Sequence, residues 1–126
     1  MTLNSYLSMV TLNVNGLNDP IKRHRVSDLI KKKDSSICCL QETHFRPKDT
    51  TSLKIKDWRT IYYSNCPQKK TGVAILISDK LKFIPKTIVR DEDGQYIILK
   101  GSIQQEDLTI MNIYAQMWEW PRIPIN

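Results

Sequence analysis

Three polar side chains stand where apolar runs give out. Asn13 lies near the close of residues 7–14, Glu42 follows Ile37-Cys38-Cys39-Leu40-Gln41, and Tyr114 follows residues 108–113. A carboxylate so placed can hold Mg²⁺ through one oxygen, leaving water and a phosphate oxygen as further ligands. An amide beside it can orient that carboxylate or a phosphate, and a phenol can donate to a phosphate. Taken one at a time, each has a plainer reading. Asn is a turn former, Glu a solvated acid and Tyr a core or rim aromatic. Groups that must act together need rigid mounts, and strand ends supply them.

The elements that would carry them follow from pattern and punctuation. Residues 7–14 read as a strand, broken by Gly16 and Pro20. Asp19 suits a helix N-cap with Pro20 at the first helical position. Val26, Leu29, Ile30 and Lys33, with Ile21 and Arg25 one turn earlier, predict a narrow apolar stripe on a basic helix. That helix should stop near Asp34-Ser35, and residues 36–40 predict the second strand. Strand, helix, strand with short links predicts a right-handed βαβ unit with parallel strands. Asn13 and Glu42 would then share one edge of the sheet.

Beyond this point the pattern changes. Residues 47–57 read as a loop. Strands are predicted over 58–63, 72–78, 81–89, 96–103 and 108–114, with turn signals between them, including Asp93-Gly94. The expected class is α/β, a βαβ start followed by an antiparallel meander. Val73-Ala74-Ile75-Leu76-Ile77 is apolar on both faces, which suits burial between two layers.

Composition sets outer bounds. The 126 residues suit one domain, and 40% hydrophobic with 25% charged residues is ordinary for a globular chain. A net charge of +6 permits an anionic partner such as nucleic acid. Cys38, Cys39 and Cys66 are odd in number and lack CxxC spacing. They read as reduced core residues, not a disulfide framework or a zinc site. No charged-then-apolar leader pattern opens the chain, and Val73 to Ile77 is too short to span a bilayer. The expected setting is intracellular, nucleus or cytoplasm, with no membrane partner.

Four stretches carry a resemblance: "TLNVNGLNDPIKRHR", "CCLQETH", "KKTGVAILIS" and "KGSIQQEDLTIMNIYA". They resemble the endonuclease domain at the N-terminus of the reverse-transcriptase polyprotein of mammalian long interspersed (non-LTR) retrotransposons. That domain belongs to the wider endonuclease/exonuclease/phosphatase family. The resemblance covers roughly residues 10–115. It implies a four-layered α/β sandwich and Mg²⁺-dependent cleavage of DNA phosphodiesters. It implies Glu42 as the metal ligand, Asn13 as the residue that helps arrange metal and carboxylate, and Tyr114 at the scissile phosphate. Lys69 and Lys70 would face DNA, with a solvated turn as the plainer reading. Lys31 to Lys33 read as a solvated helix face.

The departures shape the expectation as much. The family's later "GDxN" and "SDH" motifs are absent from these 126 residues, and neither His24 nor His44 matches the family histidine. Gln116-Met117 stand where the family continues with Pro-Asn. The expected organisation is a partial domain over residues 1–115, the N-terminal half of the sandwich, followed by a divergent tail over 116–126. A polypeptide of this kind is expected to be inactive alone. The alternative is a non-catalytic retrotransposon remnant that binds nucleic acid weakly through charge. Half a sandwich also leaves a sheet face uncovered, which predicts self-association.

Overall fold

The computed structural model describes residues 7–46 and 53–114. The expected tail over 116–126 lies outside the described residues, as does part of the 47–57 loop. The first strand, β1 (Met9–Asn13), leads through a short loop into α1 (Pro20–Lys33) and back into β2 (Ile37–Gln41). Asp19 caps α1, its carboxylate accepting from the Ile21 amide at 2.9 Å, and Pro20 follows at the helix start. Asp34 ends the helix in the left-handed conformation. β1 and β2 run parallel, with Asn13 opposite Gln41.

The remaining strands are β3 (Thr60–Ser64), β4 (Val73–Ile77), β5 (Phe83–Arg90), β6 (Tyr96–Ile103) and β7 (Glu106–Ile113). Consecutive pairs along this run are antiparallel within each sheet, but the meander divides between two sheets. The first sheet has the order β1-β2-β4-β3 and the second β5-β6-β7. β4 inserts beside β2, antiparallel to it, which the sequence alone did not specify. Its composition explains the placement: a strand apolar on both faces is stable only in a central position with a layer on each side. Gln104 and Gln105, both at positive φ, turn β6 into β7, so β7 begins at Glu106, two residues before the predicted start.

Alternation in β2 and β4 sorts two cores. Cys38, Leu40, Ala74 and Leu76 face α1 and pack with Val26, Ile30, Leu17, Phe45 and Trp58. Ile37, Cys39, Val73, Ile75 and Ile77 face the second sheet and pack with Ile97, Leu99 and Ile110. The described layers are therefore helix, sheet, sheet, part of an α/β sandwich. The buried helical stripe is narrower still than the one predicted: Ile21 is 64% exposed and Leu29 38%. Leu17, Phe45 and Trp58 cover the sheet face beside α1, so only Val26, Ser27 and Ile30 of the helix are buried.

Candidate active site

The ends of β1, β2 and β7 come together at one end of the molecule. Asn13 closes β1, Glu42 is the first residue past β2, and Tyr114 is the first past β7. The Tyr114 hydroxyl donates to Glu42 Oε1 at 3.2 Å, across 72 residues of sequence. Burial, then the Glu42 charge and this bond, hold the phenol above its ordinary 10.0. Asn13 lies one register position from Glu42, and its Oδ1 accepts from the Asn15 amide at 3.2 Å. The amide is thus a turn former as well as a neighbour of the acid.

Backbone strain gathers at this point. Asn15, Glu42 and His44 all sit at positive φ, of 47°, 54° and 56°. Asn tolerates this conformation, but for Glu it costs on the order of 1–2 kcal/mol. The loop is held by its own ladder: Gly16 N–H donates to Glu42 O, Leu17 N–H to Thr43 O, Thr43 N–H to Gly72 O and His44 N–H to Thr71 O. Gly72 is required by this packing. Its φ is +112°, and a Cβ there would run into the hydroxyl of fully buried Thr43. The hydroxyl of Thr43 and Nε2 of His44 are buried without a hydrogen-bond partner.

Behind the acid lies a buried amide network. Asn112 Nδ2 donates to the carbonyls of Leu40 at 2.9 Å and Ala74 at 2.8 Å, and its Oδ1 accepts from Gln41 Nε2 at 2.6 Å. Sequence reasoning missed Asn112. The available signal was an amide at an inward position of an otherwise apolar strand, Ile110-Met111-Asn112-Ile113.

The rim is cationic. Burial is the main force holding the His44 imidazole below its ordinary 6.5. The Glu42 charge opposes that shift, and the charges of Lys70 and Lys22 add to it. Lys22 Nζ donates to Asn15 O at 2.8 Å. Of the two predicted contact lysines, Lys70 stands beside the site, while Lys69 is tied to Asp93 at 3.1 Å. Lys31, Lys32 and Lys33 are exposed at the far end of α1.

The profile of the "Endonuclease/Exonuclease/phosphatase family" matches residues 10–123. The chain belongs to the endonuclease/exonuclease/phosphatase family. Over 111 residues it is 27% identical to the "Transposon TX1 uncharacterized 149 kDa protein" of Xenopus laevis, covering 86% of this chain and 8% of that protein. Among solved structures it is similar to truncated TDP2 of Caenorhabditis elegans, with a TM-score of 0.68 and 23% identity over 87% of this chain and 46% of that one. It is also similar to the endonuclease domain of TRAS1, a telomere-specific non-LTR retrotransposon, with a TM-score of 0.58 and 10% identity over 90% of this chain and 47% of that one. The chain therefore spans about half the length of these solved relatives.

Family membership raises the question of a metal. Among the described residues no three His, Cys, Asp or Glu side chains cluster. The donors at hand are one carboxylate (Glu42), one amide oxygen (Asn13) and one phenol oxygen (Tyr114). That all-oxygen set with a single charge does not suit zinc or a calcium cage. It does suit a small hard cation that keeps most of its water and borrows substrate oxygens. No helix among the described residues is long and apolar enough to cross a membrane.

Proposed function

We propose that this chain carries the metal-acid half of a Mg²⁺-dependent DNA endonuclease site of the non-LTR retrotransposon type. The observation that carries the reading is Glu42 itself. It is a non-glycine residue at positive φ on a strand end, hydrogen-bonded by Tyr114 and flanked by Asn13. Strain at such a residue persists where surrounding structure imposes it, and it gathers at functional sites. The transposon relative and the matched retrotransposon endonuclease domain support the substrate class.

In this reading Glu42 holds the cation. When bound, Mg²⁺ would neutralise charge developing on the phosphate. The other steps belong to the chain's own side chains. Asn13 fixes the Asn15 turn and presents its amide beside the acid. Tyr114 Oη, which donates to Glu42 without a ligand, turns its proton toward a phosphate oxygen when substrate arrives. Lys70 and Lys22 draw the anionic backbone to this rim.

The 126 residues hold neither the GDxN nor the SDH motif. Nothing in them matches the groups that would orient the attacking water. Removing one preorganised donor from an enzyme costs on the order of 10² to 10³ in rate. A polypeptide of these residues alone therefore does not turn over measurably. Exposed Ile84 and Met111 share the face of the second sheet that points away from the first, which supports self-association through that sheet face. Nicking of supercoiled plasmid in Mg²⁺ or Mn²⁺ tests the reading. The chain alone should give none, and fusion to a family C-terminal half should give cleavage that Glu42→Ala abolishes. Cleavage by the chain alone, or cleavage by the fusion that survives Glu42→Ala, would overturn it.

A second reading is charge-driven binding without cleavage. The net charge of +6 and the exposed Lys31, Lys32 and Lys33 favour it. Salt-sensitive binding of duplex DNA with no cleavage by the fusion would support this alternative.

A further inference from the structure

The two sheets face each other largely through aliphatic side chains: Ile37, Val73, Ile75, Ile77, Ile97, Leu99 and Ile110. Such contacts are non-directional, so they hold the layers together without fixing their sliding position. Directional bonds across that layer are what can fix it. At the β2–β7 side a buried group does so: the carboxamide of Asn112, 2% exposed, with both N–H donors and its oxygen engaged. Arg90 Nε to Tyr63 O and Ser64 Oγ to Asp91 O, each 2.7 Å, join the sheets at β3. Two carbonyl acceptors on one side and a Gln41 N–H on the other leave the amide only one satisfied orientation.

The location is specific. Asn112 lies two residues before Tyr114, on the same side of β7 by the strand period. Gln41 immediately precedes Glu42, and Leu40 precedes Gln41. We propose that Gln41 and Asn112 are positioning residues, an inter-sheet clasp that sets where Tyr114 stands against Glu42. β2 and β7 belong to different sheets, so no strand ladder joins the two members of that pair. Beside the Tyr114–Glu42 bond itself, the clasp supplies directional bonds between β7 and β2. Its importance for catalysis rests on the reading of Glu42 and Tyr114 given above, but the geometry is independent of cleavage.

The test is a nuclear Overhauser contact between the Tyr114 ring and the Glu42 methylenes, measured in the labelled 126-residue chain. Asn112→Ala removes all three bonds of the clasp, Gln41→Met removes the one between the two side chains, and Leu99→Ala opens a cavity in the same inter-sheet layer as a control. The contact should be lost in Asn112→Ala, weakened in Gln41→Met and kept in the control. Should Asn112→Ala fail to fold, Gln41→Met decides alone, because it removes a single bond at similar side-chain volume. Retention of the contact at full strength in a folded clasp variant overturns the proposal, and so does equal loss in Leu99→Ala. Failure of metal binding at Glu42 would sink the endonuclease reading and leave this result unchanged.

Discussion

Asn112→Ala should cost the fold about 3 kcal/mol, and the figure can be built from its bonds. Truncation strands the Gln41 N–H in a buried layer, at about 1–2 kcal/mol for an unpaired donor. It also removes two bonds to the carbonyls of Leu40 and Ala74, each contributing about 0.5–1.5 kcal/mol net. Gln41→Met removes only the 2.6 Å bond and leaves one acceptor unpaired, so about 1–2 kcal/mol is expected. In the double variant the orphaned donor is gone along with its partner. The combined loss should fall short of the sum by about 1 kcal/mol, the sign of direct coupling. Urea unfolding followed by far-ultraviolet circular dichroism gives all four stabilities, and an unchanged slope validates the comparison. Single losses below about 0.5 kcal/mol that simply add would show that the bonds at Asn112 do not form in solution.

Gly72→Ala should destabilise by at least about 2 kcal/mol, since it combines a left-handed φ with a clash against Thr43; a melting temperature within a degree or two of the parent would refute this packing. Burial pushes the thiols of Cys38 and Cys39 up to about 12 and about 11, with the Cys39 charge adding to the first. Both should resist a thiol reagent at pH 8 until the chain unfolds, and rapid native-state labelling of either would contradict their place in the core. Because their folded values are raised, the stability they contribute is full below the ordinary thiol value of 9.0. It is lost as pH rises from there through 11 to 12, which an unfolding series in that window would detect.

Much of the site was legible because strand ends are punctuated in sequence. Gly16 and Pro20 close β1, Gln41-Glu42 closes β2, and the parallel crossover then forces Asn13 toward Glu42. The meeting of Tyr114 with Glu42 was legible only through the resemblance, since β7 lies in the other sheet. Choice of partner strand is decided by packing, and no local signal told β4 to insert beside β2. Asn112 was hidden for a related reason. A buried amide in an apolar strand looks like a flaw in the alternation until the carbonyls it serves are known. Ile21 and Leu29 were misplaced because helical periodicity ranks a face but cannot say how wide a seam the sheet leaves open. Lys69 reads as a free cation in sequence, and only the turn that brings up Asp93 pairs it.

The central claim is that Glu42 is the metal acid of a phosphodiester site, and Mn²⁺ tests it most directly. In a titration of the labelled chain, paramagnetic broadening falls off steeply with distance from the bound ion. The account predicts that signals of Asn13, Glu42 and Tyr114 broaden first and that Glu42→Gln removes the effect, with the fold intact. Broadening centred instead on Asp34, Asp91 or Asp93, or unchanged in Glu42→Gln, would contradict it.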